Sequence, residues 1–241
     1  MTARALRAML EGLIDYAGLF PPAALSMQDA VRNYARYRDG EHAWALGRFV
    51  VPADREAEVP RDFACSVLGR DEVKASELDR AARDAFVEIT ELEMLPELRR
   101  RGLRAKLRTG GLTAEAFPSA ARIAEFLRAC REHGVAFKAT AGLHHPVRCV
   151  RPLTYAPDAP RGTMHGFLNL FLAAAMLDDA EAVLNENDPH AFAFDDDGAS
   201  WRDRRVATEE IMAMRRDFAL SFGSCSFEEP IADLQELGLL S

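Results

Sequence analysis

The chain has 241 residues, 49% of them hydrophobic and 28% charged, enough for one large globular domain or two small ones, with no need of a disulfide or metal staple. Fifteen glycines and twelve prolines exclude a low-complexity chain, and a formal charge of −8 argues against a nucleic-acid partner. The longest apolar run, residues 167–177, falls short of the roughly 20 residues that cross a bilayer, so no membrane partner is expected. The four cysteines form no C-x-x-C pair and read as free thiols of a reducing cytoplasm.

Apolar spacing at Leu6, Met9, Leu10, Leu13 and Ile14 predicts a helix over 2–16. Gly18 and Pro21-Pro22 then break the chain into a loop. Ser26 is an N-cap for a second helix ending near Arg38. Short apolar runs predict strands over 44–51 and 63–68, and a charged helix over 71–84. A third strand over 86–89 precedes a helix over 93–101. A fourth, over 103–107, closes at Gly110-Gly111. A long helix over 113–133 stops at Gly134, and a fifth strand follows over 135–139. Residues 150–162 read as a loop, a lid candidate. Residues 168–177 fit strand or helix. A hairpin over 191–201 turns at Asp195-Asp196-Asp197-Gly198. A helix over 207–217, a last strand over 218–221 and a closing helix over 228–238 complete the chain.

Strands alternating with helices predict a parallel sheet with crossover helices. The reading is α/β, a (β/α)8 TIM-barrel-like fold, incomplete or decorated, formed by residues 1–241 as a single α/β domain. An open doubly wound sheet is the alternative. It loses support because no G-x-G-x-x-G follows the first strand.

In such folds chemistry gathers at the carboxyl ends of strands. Those ends supply Arg48, Glu88, Glu91, Lys106, Arg108, Thr109, Lys138, Thr140 and His144-His145. Only three of the thirty basic residues are lysine, and two sit on predicted strands. Lys106-Leu-Arg-Thr-Gly-Gly and Lys138-Ala-Thr-Ala-Gly lie one βα repeat apart, so neighbouring strands would present two ammonium groups to one cavity. A second cation nearby lowers a lysine's pKa and frees its amine for imine formation. Gly110-Gly111 beside Arg108, and Ser224 in Gly223-Ser224-Cys225-Ser226, suit anion binding at a turn before a helix.

The stretch from Lys106 to Pro146 resembles class I aldolases of the deoxyribose-phosphate aldolase type. The resemblance covers about 40 residues and implies a barrel enzyme without a cofactor. It makes Lys106 the imine-forming nucleophile and Lys138 its tuner, with Glu88 or Glu91 in place of the family's proton-transfer aspartate. Carbon–carbon lyase work on a small anionic metabolite is the expected activity. It would run through an imine or a stabilised enolate, with Glu88 or His144 moving the proton. Arg48, Arg108, Thr109, Gly110, Gly111, Thr140 and Ser224 are the expected substrate contacts.

Two other readings start from the same residues. His144 and His165 with Glu88 would form a divalent-metal site for a lyase, isomerase or hydrolase. A non-catalytic barrel would instead pack its apolar 167–177 segment in a homo-oligomer interface.

Overall fold

The computed structural model describes residues 2–240. Helix α1 (Arg4–Leu10) is followed by strand β1 (Ile14–Tyr16), then α2 (Met27–Arg38), β2 (Leu46–Pro52), β3 (Cys65–Leu68) and β4 (Glu72–Lys74). Next come β5 (Phe86–Glu88), α3 (Leu95–Arg101), β6 (Arg104–Arg108), α4 (Ala120–His133) and β7 (Phe137–Thr140). An excursion follows. It holds β8 (Cys149–Pro152), β9 (Arg161–Met164), α5 (Phe167–Ala175), α6 (Ala180–Asn185), β10 (Phe192–Phe194), β11 (Gly198–Trp201), β12 (Arg204–Ala207) and α7 (Thr208–Asp217). The chain returns with β13 (Ala219–Ser224) and ends in α8 (Glu228–Glu236).

Strands β1 to β7 and β13 pair in parallel around a closed eight-stranded barrel, and β13 closes on β1 through Ile14↔Phe222 and Tyr16↔Ser224. This is the TIM-barrel-like α/β fold, decorated between its seventh and eighth strands. Among the described residues no helix is long and apolar enough to cross a membrane.

Local chemistry explains the helices that the sequence marked well. The Ser26 hydroxyl accepts the Asp29 amide and caps α2, whose Met27, Ala30, Tyr34 and Tyr37 form one buried stripe. Ser119 caps α4 in the same way, and Gly134 ends it in a left-handed conformation. Helix α4 starts later than its periodicity predicts because Pro118 interrupts the segment before the cap.

Several expectations need correction. Residues 2–16 are not one helix: Gly12 turns at φ 58 and the chain enters β1. Residues 71–84 hold β4 and a 3-10 turn (Ala75–Arg80) rather than a helix. Only Gly69–Asp71 joins β3 to β4, pinned by the Asp71 carboxylate on the Val67 amide at 3.0 Å. Residues 150–162 are not a plain loop, because β8 and β9 pair antiparallel there. Helix α5 is buried from Phe167 to Ala174, and Phe167 stacks on Phe222 of the barrel. The 167–177 segment therefore lies mostly inside the chain's own core. Its one polar side chain, Asn169, is satisfied by the Arg148 amide and by the Val183 and Glu186 carbonyls.

Candidate active site at the carboxyl ends of the barrel strands

Strand register sets the site. Lys74, Glu88, Lys106 and Lys138 stand at one level on four adjacent strands. Lys106 and Lys138 are direct cross-strand neighbours, and both are buried. Two neighbouring ammonium groups in a barrel are tolerated only with carboxylates between them.

Glu72 of β4 supplies the shared partner. Its Oε1 lies 2.6 Å from Lys138 Nζ, and its Oε2 lies 3.0 Å from Lys106 Nζ. Asp15 of β1 takes the other side of Lys138 at 2.7 Å. Glu88 stands 3.3 Å from Lys106 and 2.9 Å from Arg108. A ladder of alternating charge thus crosses the barrel: Asp15, Lys138, Glu72, Lys106, Glu88, Arg108. Hydroxyl and amide donors complete the carboxylates. Ser66 donates to Glu72, while Ser221 and the Arg48 amide donate to Asp15.

Burial opposes ionisation of Glu72, but the two lysines and the Ser66 hydroxyl outweigh it and draw the carboxyl down to about 2. Burial likewise works against the Lys138 ammonium, and Asp15 and Glu72 overcome it, so its pKa is raised. Lys138 is therefore a fixed cation beside Lys106.

The ladder opens into a cavity of about 400 Å³ whose walls include Lys106, Arg108, Lys138, Thr140, His144 and Cys225. Ala17, Leu68, Arg108 and Thr140 line it from at or just beyond strand carboxyl ends, so it is the C-terminal mouth of the barrel. Phe20, Pro21 and Pro22 form an apolar wall, and the Pro21-Pro22 bond is cis. Ala141 and Gly142 follow β7 with φ of 63° and 74°. A left-handed alanine is uncommon, and this one lines the mouth.

His144, after β7, also lines the mouth, and its Nδ1 lies 3.2 Å from Glu229 and 4.0 Å from Cys225 Sγ. The Tyr155 hydroxyl, from the turn between β8 and β9, reaches Cys225 at 3.7 Å and Glu229 at 3.4 Å. Burial disfavours the imidazolium, yet Cys225 and Glu229 raise the His144 pKa to about 9. With Nδ1 committed to these partners, Nε2 is the nitrogen left for a ligand.

The other expected contacts divide. Gly111 and Thr140 line the mouth with Arg108. Arg48 does not: it lines a cavity at the other end of the barrel. The buried Thr109 hydroxyl donates to the Ala141 carbonyl at 2.6 Å and ties two loops together. Gly110 is needed for packing, since a Cβ there would stand 2.5 Å from Phe117 and 2.9 Å from the Gly142 Cα. Helix α4 begins ten residues after Gly110, so its N-terminus is not at the glycine turn. Ser224 is buried, and Gly223 and Cys225 line the mouth in its place. Glu91 is exposed on a 3-10 turn.

The expected metal constellation is not assembled. His165 Nε2 bonds the Pro118 carbonyl at 2.7 Å, His144 faces Glu229, and Glu88 is held by Lys106 and Arg108. Among the described residues no group of three His, Cys, Asp or Glu side chains is arranged to hold a metal ion.

No protein-family model matches the sequence, and no curated protein matches it.

Sequence reasoning missed Glu72, Glu229 and Tyr155, and left Cys225 without a partner. Glu72 sits in Arg70-Asp71-Glu72-Val73-Lys74, which has the look of a solvated helix. A three-residue strand gives no period to betray it.

Proposed function

We propose that the protein is an enzyme with aldolase-like carbon–carbon chemistry on a small anionic carbonyl compound, working through an enolate that Lys106 stabilises. The observation that carries this reading is the ladder of alternating charge ending in the mouth cavity, with Lys106 and His144 both in its wall. A carbonyl oxygen set against Lys106 Nζ gains negative charge as a neighbouring carbon–carbon bond breaks. A pre-positioned ammonium in a partly dry pocket lowers that barrier without reorganising.

Each neighbour then has a task. Lys138 and Asp15 hold Glu72, and Glu72 fixes the place of Lys106, so these are positioning residues. Arg108 at the rim suits a substrate carboxylate or phosphate, which a guanidinium grips through two parallel bonds. His144, with its pKa near 9, is an imidazolium at neutral pH and is suited to protonating the enolate carbon. The hydroxyl of the cleaved carbon gives its proton to water in the open mouth as the aldehyde leaves, the imidazole is reprotonated from solvent, and the synthetic direction runs the same transfers in reverse. Two carboxylate acceptors on Lys106 Nζ favour an electrostatic role over an imine, which requires the free amine.

The test uses a panel of small 2-oxo acids, aldehydes and hydroxy ketones in D2O, with cleavage and exchange at the carbon beside the carbonyl followed by proton NMR. Lys106→Ala should lower turnover by at least about a hundredfold. Borohydride added during turnover should leave no mass adduct. A stable adduct on Lys106 would replace the enolate by an imine. Wild-type turnover in a Lys106→Ala plus Lys138→Ala variant would remove both.

A further inference from the structure

The barrel has a second opening. A cavity of about 340 Å³ is lined by Gly12 before β1, Asp84 and Ala85 before β5, and Arg104 at the start of β6, which places it at the N-terminal mouth. Lys138 lines both cavities, so its side chain is part of the partition between them.

Charge is concentrated here against the average of the chain. Arg48, Arg70, Arg83 and Arg104 line the cavity with Lys138, while three carboxylates answer them. Each carboxylate is already engaged. Asp71 lies 3.1 Å from Arg70, Asp84 lies 3.2 Å from Arg104, and Asp15 lies 2.7 Å from Lys138. The Arg48 and Arg83 guanidinium groups are left without a carboxylate among the described residues, and that of Arg48 donates to the Cys65 carbonyl at 3.3 Å. Two uncompensated guanidinium groups in one concavity, in a protein of formal charge −8, call for a dianion.

A rim residue adds a second observation. Asp84 has φ of 67°, a conformation that costs a non-glycine residue and recurs at ligand clamps. The cavity is far larger than a phosphate group alone, and Phe86 and Leu220 give it an apolar surface.

We propose that the N-terminal mouth binds a small phosphomonoester, its phosphate held by Arg48 and Arg83 and its organic body against Phe86 and Leu220. A phosphomonoester carries close to two negative charges at neutral pH, and guanidinium groups match its oxygens in pairs. This site is separate from the mouth that holds Lys106 and does not depend on the activity proposed there.

The test is calorimetric titration of the full chain at constant ionic strength with phenyl phosphate and with inorganic phosphate. Phenyl phosphate should bind one to one and more tightly than inorganic phosphate. An Arg48→Ala plus Arg83→Ala variant, altered only at exposed side chains and checked by circular dichroism, should weaken binding at least about tenfold. Arg32→Ala, on the exposed face of α2 and in neither cavity, should leave binding unchanged. Equal affinity for inorganic phosphate would overturn the ester assignment. The absence of binding at millimolar phenyl phosphate, or its loss instead in Arg108→Ala, at the opposite mouth, would overturn the site.

Discussion

Replacing Glu72 by glutamine removes one charge from the centre of the ladder while keeping its volume. In the native protein the carboxyl is drawn from its ordinary 4.5 to about 2. That gap corresponds to about 3 kcal/mol of stability held by the ionised form. The folded pKa is depressed, so the contribution is complete above pH 4.5 and disappears as the pH falls towards 2. Glutamine forfeits it at every pH. It must also turn an N–H donor towards one of two ammonium groups, because Lys138 and Lys106 occupy both oxygens at 2.6 and 3.0 Å. The pairs Lys138–Asp15 and Lys106–Glu88 survive, which keeps the variant foldable. Urea unfolding at pH 7 should therefore show a loss of about 3 kcal/mol with an unchanged m-value. For a chain of this length that is roughly 6–12 °C in melting temperature. Between pH 5 and 2.5 the wild type should lose stability more steeply than Glu72→Gln. A loss below about 1 kcal/mol, or parallel acid limbs in the two proteins, would refute the argument that Glu72 is the clamp between the lysines.

Three further outcomes follow from neighbouring contacts. Lys138→Met should cost about 3–5 kcal/mol, since Asp15 and Glu72 lose their common cation, and adding Glu72→Gln should recover part of that loss; a double variant no more stable than Lys138→Met alone would contradict it. His144 should titrate by NMR near pH 9. Its folded pKa is raised, so its stabilisation is complete below pH 6.5 and fades as the pH rises through 9, a fall of about 3 kcal/mol that His144→Gln should lack; a midpoint at or below 7 would overturn the Glu229 and Cys225 contacts as its cause. Gly110→Ala should destabilise by about 1–3 kcal/mol, because its Cβ meets Phe117 at 2.5 Å and the Gly142 backbone at 2.9 Å. Gly223→Ala, whose Cβ comes no closer than 3.7 Å to Thr140, should shift the melting temperature far less.

Much of the barrel was legible in the order of residues. Hydrophobic period and caps located α2 and α4, and the alternation of strand and helix through residue 140 implied a parallel sheet. The 32-residue spacing of Lys106 and Lys138 anticipated their pairing on β6 and β7, because a βα repeat brings its strand back beside the one before. The missed barrel strands share one physical cause. β1 and β4 are three residues long, too short for any period, and their neighbours have helical spacing or heavy charge. Those two strands carry Asp15 and Glu72, so the carboxylates that neutralise Lys138 were hidden with them.

The sequence alone determined that lysine is scarce here and that two lysines would fall on neighbouring strands. What they face was decided by closure of the sheet. Asp15 and Lys138 are 123 residues apart, and His144 and Cys225 are 81 apart. Contacts of that separation follow from β13 closing on β1 and from the length of the excursion before it, and no local propensity encodes them. A charged side chain inside a barrel takes its protonation state from whichever groups the closed sheet sets against it. That is why the tertiary structure alone distinguishes a free amine from the buried ammonium of Lys138.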